Sequence, residues 1–298
     1  MKIIIIGSKG FIGQHALSYF RTKGNEVWGC DVNVDYTDPN YFLVDTTNSN
    51  FHSIFEQQQF DVCINCSGAA SVPDSFNNPA RDFALNVHNV VNLLDAIRKY
   101  RSNCKFINLS SAAVYGNPLA LPITEQMVAA PVSPYGFHKL MAENVCDEYH
   151  RYFNLQTISF RVFSAYGPGL KKQLFWDIYQ KLKLSNSVEL WGTGNESRDF
   201  IYVSDIIRIV EIYIKKGEFN GKAINIGNGE QITIDEAAKT IISTTQWNGE
   251  LKFNNQVRQG DPLNWEANIC KIKDLGYKQQ VDLKEGLKRY IEWANENA

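Results

Sequence analysis

KIIIIGSKGFIG, residues 2–13, opens the chain with four consecutive isoleucines that run straight into Gly7, Gly10 and Gly13, spaced GxxGxxG. An unbroken β-branched run suits a strand covered on both faces, as in a parallel sheet, because a strand with one wet face alternates apolar and polar residues. From Phe11 the apolar positions Ile12, Ala16, Leu17 and Phe20 recur at helical spacing, and Gly24 stands where a C-terminal cap belongs. The three glycines therefore lie between a strand and a helix. In that setting the backbone can approach a pyrophosphate at the helix N-terminus; a glycine triplet without it would be no more than a tight turn.

Working outward, EVWGCDV (26–32) reads as a second strand, and the alternation continues with DVCINCSG (61–68), a helix over 85–100, KFINLSS (105–111), a helix over 136–152 and LQTISFRVF (155–163). Strands alternating with helices imply right-handed βαβ crossovers and a doubly wound parallel sheet, an α/β fold. After Tyr166 the texture changes: YGPGLKKQ, then helix-like FWDIYQKLK, the loop WGTGNESRD, AINIGNG and a last helix EGLKRYIEWAN. The expected division is a dinucleotide-binding domain over 1–166 and a smaller C-terminal α/β lobe over 167–298, separated by a turn near Gly167 and a cleft.

Composition narrows the function. The chain has 298 residues, 44% of them hydrophobic, and a formal charge of −2, which gives no basic excess to attract nucleic acid or an anionic membrane. Arg98, Lys99, Arg101 and Lys105 form a local basic cluster, expected to be solvated and to favour the helix dipole. No segment approaches a membrane span, and the isoleucine run is too short for a signal peptide. Of six cysteines the close pair is Cys63 and Cys66, inside a strand-like segment with no second CxxC, so no metal site is expected. Free thiols without a targeting signal point to the cytoplasm.

The residues of a dinucleotide site can be named. Asp31 ends the second strand, where a carboxylate accepts hydrogen bonds from an adenosine ribose. No arginine follows in CDVNVDY to hold a 2′-phosphate, which favours NAD over NADP. Asp45, after YFLV, falls where such folds contact adenine, and reads equally as a solvated loop acid. SPYGFHK (133–139) then acquires meaning. A tyrosine and a lysine four apart at a helix start are ordinary surface chemistry by themselves. Beside a positively charged nicotinamide, Tyr135 has its phenol pKa lowered from about 10 by that ring and by Lys139, and becomes a usable base. Ser111, at the end of KFINLSS, would orient the reacting hydroxyl.

GSKGFIG, SGAASVPDS, SSAAVYG, YGFHK, FRVFSAYGPG, GTGNESRDFIYVSD, NIGNG and RQGDP occur in an order that resembles the extended short-chain dehydrogenase/reductase family, in particular its nucleotide-sugar epimerases and dehydratases. The resemblance covers nearly the whole chain. It implies a Rossmann-type domain holding NAD through Gly7, Gly10, Phe11, Ile12, Gly13, Asp31, Asp45, Ala69, Tyr135 and Lys139. It implies a Ser111, Tyr135 and Lys139 catalytic set, an NDP-sugar in the cleft, and the return of 201–227 to the first lobe. On the substrate side it implies diphosphate contacts from Arg198 and Arg258, for which a salt bridge to Asp199 or Asp261 is the plainer alternative. Ser164 stands where the family has an asparagine that helps hold the nucleotide sugar, and Trp265 falls at a residue lining the sugar pocket, or simply packs between the lobes. The helices at 85–100 and 136–152 resemble the family's paired interface, implying a homodimer.

The same resemblance separates reactions. Family dehydratases carry Asp-Glu immediately before VYG, whereas this chain has Ala112 and Ala113, so neither an acid nor a base is at hand for elimination. Epimerisation at C4 through a 4-keto intermediate needs less. The competing expectation is an NAD(P)H-dependent reductase of a 4-keto-6-deoxy-NDP-sugar, and a remoter one is a non-catalytic dinucleotide sensor on the same fold.

Overall fold

The computed structural model, which describes residues 1–45, 49–256, 260 and 262–297, accounts for the four isoleucines. Ile3 and Ile5 enter one hydrophobic core, Ile4 and Ile6 a second on the opposite face. Each fully buried side chain of this size contributes roughly 1.5–3 kcal/mol relative to exposure. Their strand, β1 (Lys2–Ile6), is followed by α1 (Phe11–Thr22), β2 (Glu26–Asp31), β3 (Tyr41–Leu43), α2 (Phe51–Gln57), β4 (Val62–Asn65), α3 (Val72–Asn77), α4 (Pro79–Phe83), α5 (Asn89–Tyr100), β5 (Lys105–Ser111), α6 (Pro134–Phe153) and β6 (Thr157–Val162). A π-helical turn, Ala84–His88, carries α4 into α5 without a break. A 3-10 turn, Ala112–Tyr115, leaves β5.

Beyond β6 the chain forms β7 (Ser164–Tyr166), α7 (Gln173–Leu184), β8 (Ser187–Leu190), β9 (Ser197–Arg198), β10 (Phe200–Tyr202), α8 (Val203–Lys216), β11 (Ala223–Ile226), β12 (Ile232–Thr233), α9 (Ile234–Ser243), β13 (Glu250–Phe253), α10 (Cys270–Asp274) and α11 (Leu283–Asn297). Seven of these strands make one sheet in the order β11, β6, β5, β4, β1, β2, β3, with every neighbouring pair parallel. This is the doubly wound sheet that the alternation predicted. The order reverses between β1 and β4, so the loops at their carboxyl ends diverge and open a crevice there.

A smaller lobe has its own core around Tyr166, Phe175, Ile178, Tyr179, Leu287 and Tyr290. The lobes do not merely touch. Trp265, Ala267, Ile269 and Tyr277 belong to the same hydrophobic cluster as Ile107, Val162 and Ile226 of the sheet. The chain leaves the large sheet at Val162 and re-enters it at β11, where Ile224 lies opposite Phe160.

In the basic cluster Arg98 and Lys99 are exposed, as expected, Arg98 pairing with Asp95, whereas Arg101 donates to the carbonyls of Gln58, Glu56 and Tyr100, and Lys105 to Ile214 O. All six cysteines are free thiols. Among the described residues no helix is long and apolar enough to cross a membrane.

Candidate active site

The glycine loop lies at the crevice. Gly7 has φ +77 and donates to Cys30 O at 2.8 Å, while Gly10 N donates to Gly7 O at 3.0 Å. A Cβ on Gly13 would fall 2.1 Å from Gly7 O, and one on Gly7 would fall 2.7 Å from Ser67 N, so α1 rides on the turn only because both side chains are missing. Gly10 caps α1 without a side-chain hydrogen bond. The first N–H groups of the helix, those of Phe11, Ile12 and Gly13, thus have no side-chain cap, the state in which a helix start could hold a pyrophosphate. Asp31, 8% exposed, receives Lys9 N at 2.9 Å on Oδ2, and Val32 N, Asn33 N and Asn33 Nδ2 at 2.8, 3.1 and 2.9 Å on Oδ1. A carboxylate so surrounded by donors is fixed in orientation, as an acceptor for ribose hydroxyls must be. Ala69 is half-buried in the loop after β4. Asp45 is exposed, its carbonyl accepting from Ser49 Oγ at 2.7 Å.

Ser111, Tyr135 and Lys139 come together across the ends of β5 and α6. Ser133 caps α6 by accepting Gly136 N at 3.1 Å, and Pro134 follows as its first residue. A Cβ on Gly136 would meet Ala113 O at 2.5 Å, so the helix start presses directly on the turn that leaves Ser111. The Ser111 hydroxyl lies near the Tyr135 phenol, close enough to pull its pKa down in part, and accepts Ala113 N at 3.1 Å. Lys139, 6% exposed, donates to Leu109 O at 2.9 Å and stands 5.8 Å from the centroid of the Tyr135 ring.

The expectation of a lowered phenol pKa concerns the site with NAD bound; in the protein alone the electrostatics runs the other way. Burial pushes the Tyr135 phenol up to about 12, the Ser111 hydroxyl pulling only partly the other way. Burial pulls Lys139 down to about 8. In the protein alone, therefore, the phenol is not a base at neutral pH. At 5.8 Å from the ring centroid, a buried ammonium whose own charge is disfavoured does not offset the loss of hydration.

Trp265 is buried in the core that it shares with the sheet. Its indole N–H donates to Gly116 O at 3.0 Å, just past the 3-10 turn that follows Ser111, and its ring stands edge-on to Phe163 at 5.9 Å. The Arg198 guanidinium lies 5.7 Å from the Trp265 ring centroid and donates to Ser197 O and Leu263 O. Asp199, considered as its ion-pair partner, is instead fully buried and accepts the backbone N–H groups of Asn228, Gly229 and Ala267. Ser164 is half-buried on β7, its N–H donated to Asp199 O at 2.9 Å. Arg258 and Asp261 lie outside the described residues. Across the crevice His15 Nε2 bonds Pro168 O at 2.7 Å and Lys172 Nζ reaches Ala70 O at 3.4 Å.

Several participants escaped the sequence reading. Glu143 and Arg161 form a buried ion pair at 2.7 Å beneath the site; Ser110 donates to Glu143, Arg161 to Tyr115 Oη, and Tyr115 to Asn225 Oδ1. Glu143 stands four residues after Lys139, so the helical face was readable, but its partner on β6 was not. Asn86 Oδ1, in the π-helical turn, is buried without a hydrogen-bond partner, and a Cβ on Gly68 would lie 2.5 Å from it and 3.5 Å from Lys139 Nζ. A buried acceptor left open beside Lys139, together with the uncapped helix start and Asp31, fits a hydroxyl-rich dinucleotide lying along the crevice.

Comparison with known proteins agrees with this geometry. Residues 3–227 match the model of the NAD dependent epimerase/dehydratase family. A putative UDP-glucose 4-epimerase of Methanocaldococcus jannaschii is 28% identical over 305 residues, covering 99% of each chain. The crystal structure of UDP-glucuronic acid 4-epimerase from Bacillus cereus, in complex with UDP-glucuronic acid and NAD, superimposes with a TM-score of 0.89 at 25% identity over 99% of both chains. UDP-glucose 4-epimerase of Thermotoga maritima, with UDP-glucose, gives 0.88 at 25% identity, again over 99% of both. With the glycine loop, Asp31 and the Ser111, Tyr135 and Lys139 cluster in place, the chain belongs to the NAD-dependent epimerase/dehydratase family and is an enzyme built around that cofactor.

Proposed function

We propose that the protein is an NAD-dependent nucleotide-sugar epimerase that inverts C4 of the sugar through a 4-keto intermediate. The observation that carries this reading is the joining of Ser111, Tyr135 and Lys139 at the end of β5, with Ala112 and Ala113 next to them where elimination would require an acid and a base. NAD, when bound along the crevice, supplies the acceptor for hydride from C4 and a positive ring charge beside the Tyr135 phenol. Tyr135 moves the proton of the sugar's 4-hydroxyl at its Oη. Ser111 holds the same hydroxyl in line. Lys139 adds positive charge behind the phenol and binds ribose hydroxyls, while Leu109 O fixes where its ammonium can point.

On the substrate lobe, Arg198 and Arg258 grip the diphosphate, a task the planar guanidinium suits. Ser164 and Trp265 border the sugar. The working division is a cofactor lobe, 1–166 with 201–227 returning to it, and a substrate lobe over the remainder of 167–298. The exposed Phe137 and Phe153 on α6 favour a homodimer packed through α5 and α6. Six free thiols favour a reducing cytoplasm, and the reaction suits carbohydrate biosynthesis.

The test is conversion of UDP-glucose, or of UDP-glucuronate, to its own C4 epimer by the purified protein, with nicotinamide absorbance followed alongside. Product should form with no stoichiometric change in NAD(P)H. Tyr135→Phe should lose roughly two to four orders of magnitude in turnover with folding intact. Oxidation of NAD(P)H in step with product would replace the epimerase by the ketoreductase.

A further inference from the structure

We propose that Asp35, through its ion pair with Lys9, is the residue by which this protein rejects dinucleotides phosphorylated on the adenosine ribose. The inference rests on the NAD reading above and goes beyond it. Lys9 is the basic residue of the glycine loop, and its backbone N–H donates to Asp31 Oδ2 at 2.9 Å. It therefore sits directly beside the carboxylate that receives the ribose hydroxyls. A lysine there is the natural counter-ion for a 2′-phosphate.

In this chain that cation is taken. Lys9 Nζ is bonded to Asp35 Oδ2 and lies 5.4 Å from the Tyr41 ring centroid. Asp35 is itself fixed. Its Oδ1 accepts Thr37 N at 2.9 Å, Thr37 Oγ1 at 2.7 Å and Asp38 N at 3.3 Å, and its side chain is 13% exposed. These bonds, Lys9 first, hold its carboxyl well below the usual carboxylate range. The rest of the segment is pinned as well, since Asp38 pairs with Arg21 and the Tyr41 hydroxyl donates to Asn33 O. A phosphate entering here meets two fixed carboxylates, Asp31 and Asp35, and finds the neighbouring cation, Lys9, already paired. Like charges at close range disfavour it strongly in a partly buried site, whereas an unphosphorylated ribose needs only Asp31.

The experiment is titration of the nucleotide-stripped full chain with NAD+ and with NADP+, read by calorimetry, for the wild type, Asp35→Asn, Lys9→Met and the double variant. Wild type should bind NAD+ at least about a hundredfold more tightly than NADP+. Asp35→Asn should tighten NADP+ by about tenfold or more and leave NAD+ within about threefold, which also certifies the fold. Adding Lys9→Met should cancel that gain, because the freed ammonium is what receives the phosphate. A gain below about threefold, or one that survives Lys9→Met, overturns the proposal while leaving the NAD reading standing. Wild type that binds neither dinucleotide sinks the NAD reading, and this inference with it.

Discussion

Lys139 carries its charge where charge is disfavoured, and that has a measurable signature. Burial lowers its pKa to about 8, against about 10.4 in an unfolded chain. Between those values the native state binds fewer protons than the unfolded one, so stability rises with pH. The cost of the buried ammonium is fully present below pH 8 and fades as pH climbs towards 10.4. Its size is on the order of 3 kcal/mol. Relative to Lys139→Met, the wild type should gain about 2 kcal/mol between pH 7.5 and 10 in urea unfolding. A difference that stays flat with pH would show that the ammonium is not penalised. The adjacency of Tyr135 and Lys139 was legible from a four-residue spacing. Their protonation was not, because it depends on how much of β5, the π-helical turn and the Gly68 loop closes over them.

Elements are tied together beneath the site by the buried chain of Ser110, Glu143, Arg161, Tyr115 and Asn225, which links β5, α6, β6 and β11. Arg161→Met leaves the Glu143 carboxylate buried without its cation and should cost about 3–5 kcal/mol. Replacing both, Glu143→Leu with Arg161→Met, should recover much of that, since a fully apolar pair carries no unmet charge. A single-variant loss below about 1 kcal/mol in chemical denaturation would mean that water reaches the carboxylate. Strands and helices were readable because an isoleucine run and a 3.6-residue period are local signals. The π-helical turn at Ala84–His88 was not. One extra residue in a turn slips the apolar phase by a single position, and five residues are too few for that slip to show against ordinary scatter, so nothing in ALNVH distinguishes it.

At the scale of the molecule, two lobes share one hydrophobic cluster, with Trp265 and Tyr277 packed among sheet residues. They should unfold together. Tryptophan fluorescence, drawn from Trp28 beside the sheet and from Trp176, Trp247 and Trp293 in or against the smaller core, should follow the same urea transition as far-ultraviolet circular dichroism. Two separated midpoints would show that the lobes are independent. From sequence, AINI is a strand that could belong to either lobe. Its place beside β6 depends on a long-range pairing for which no local pattern exists.

That pairing has a cost during synthesis. β6 is complete at Val162, but the strand that covers its outer edge, Ala223–Ile226, emerges roughly sixty residues later. At about 5–20 residues per second the ribosome holds the nascent sheet with that edge bare for roughly three to twelve seconds. Through that interval TISFRV, six buried residues in the finished protein, is an open template for a neighbouring chain. Slow elongation, or a pause within the substrate lobe, should lower the soluble yield. Holding the edge with a chaperone until β11 arrives should restore it.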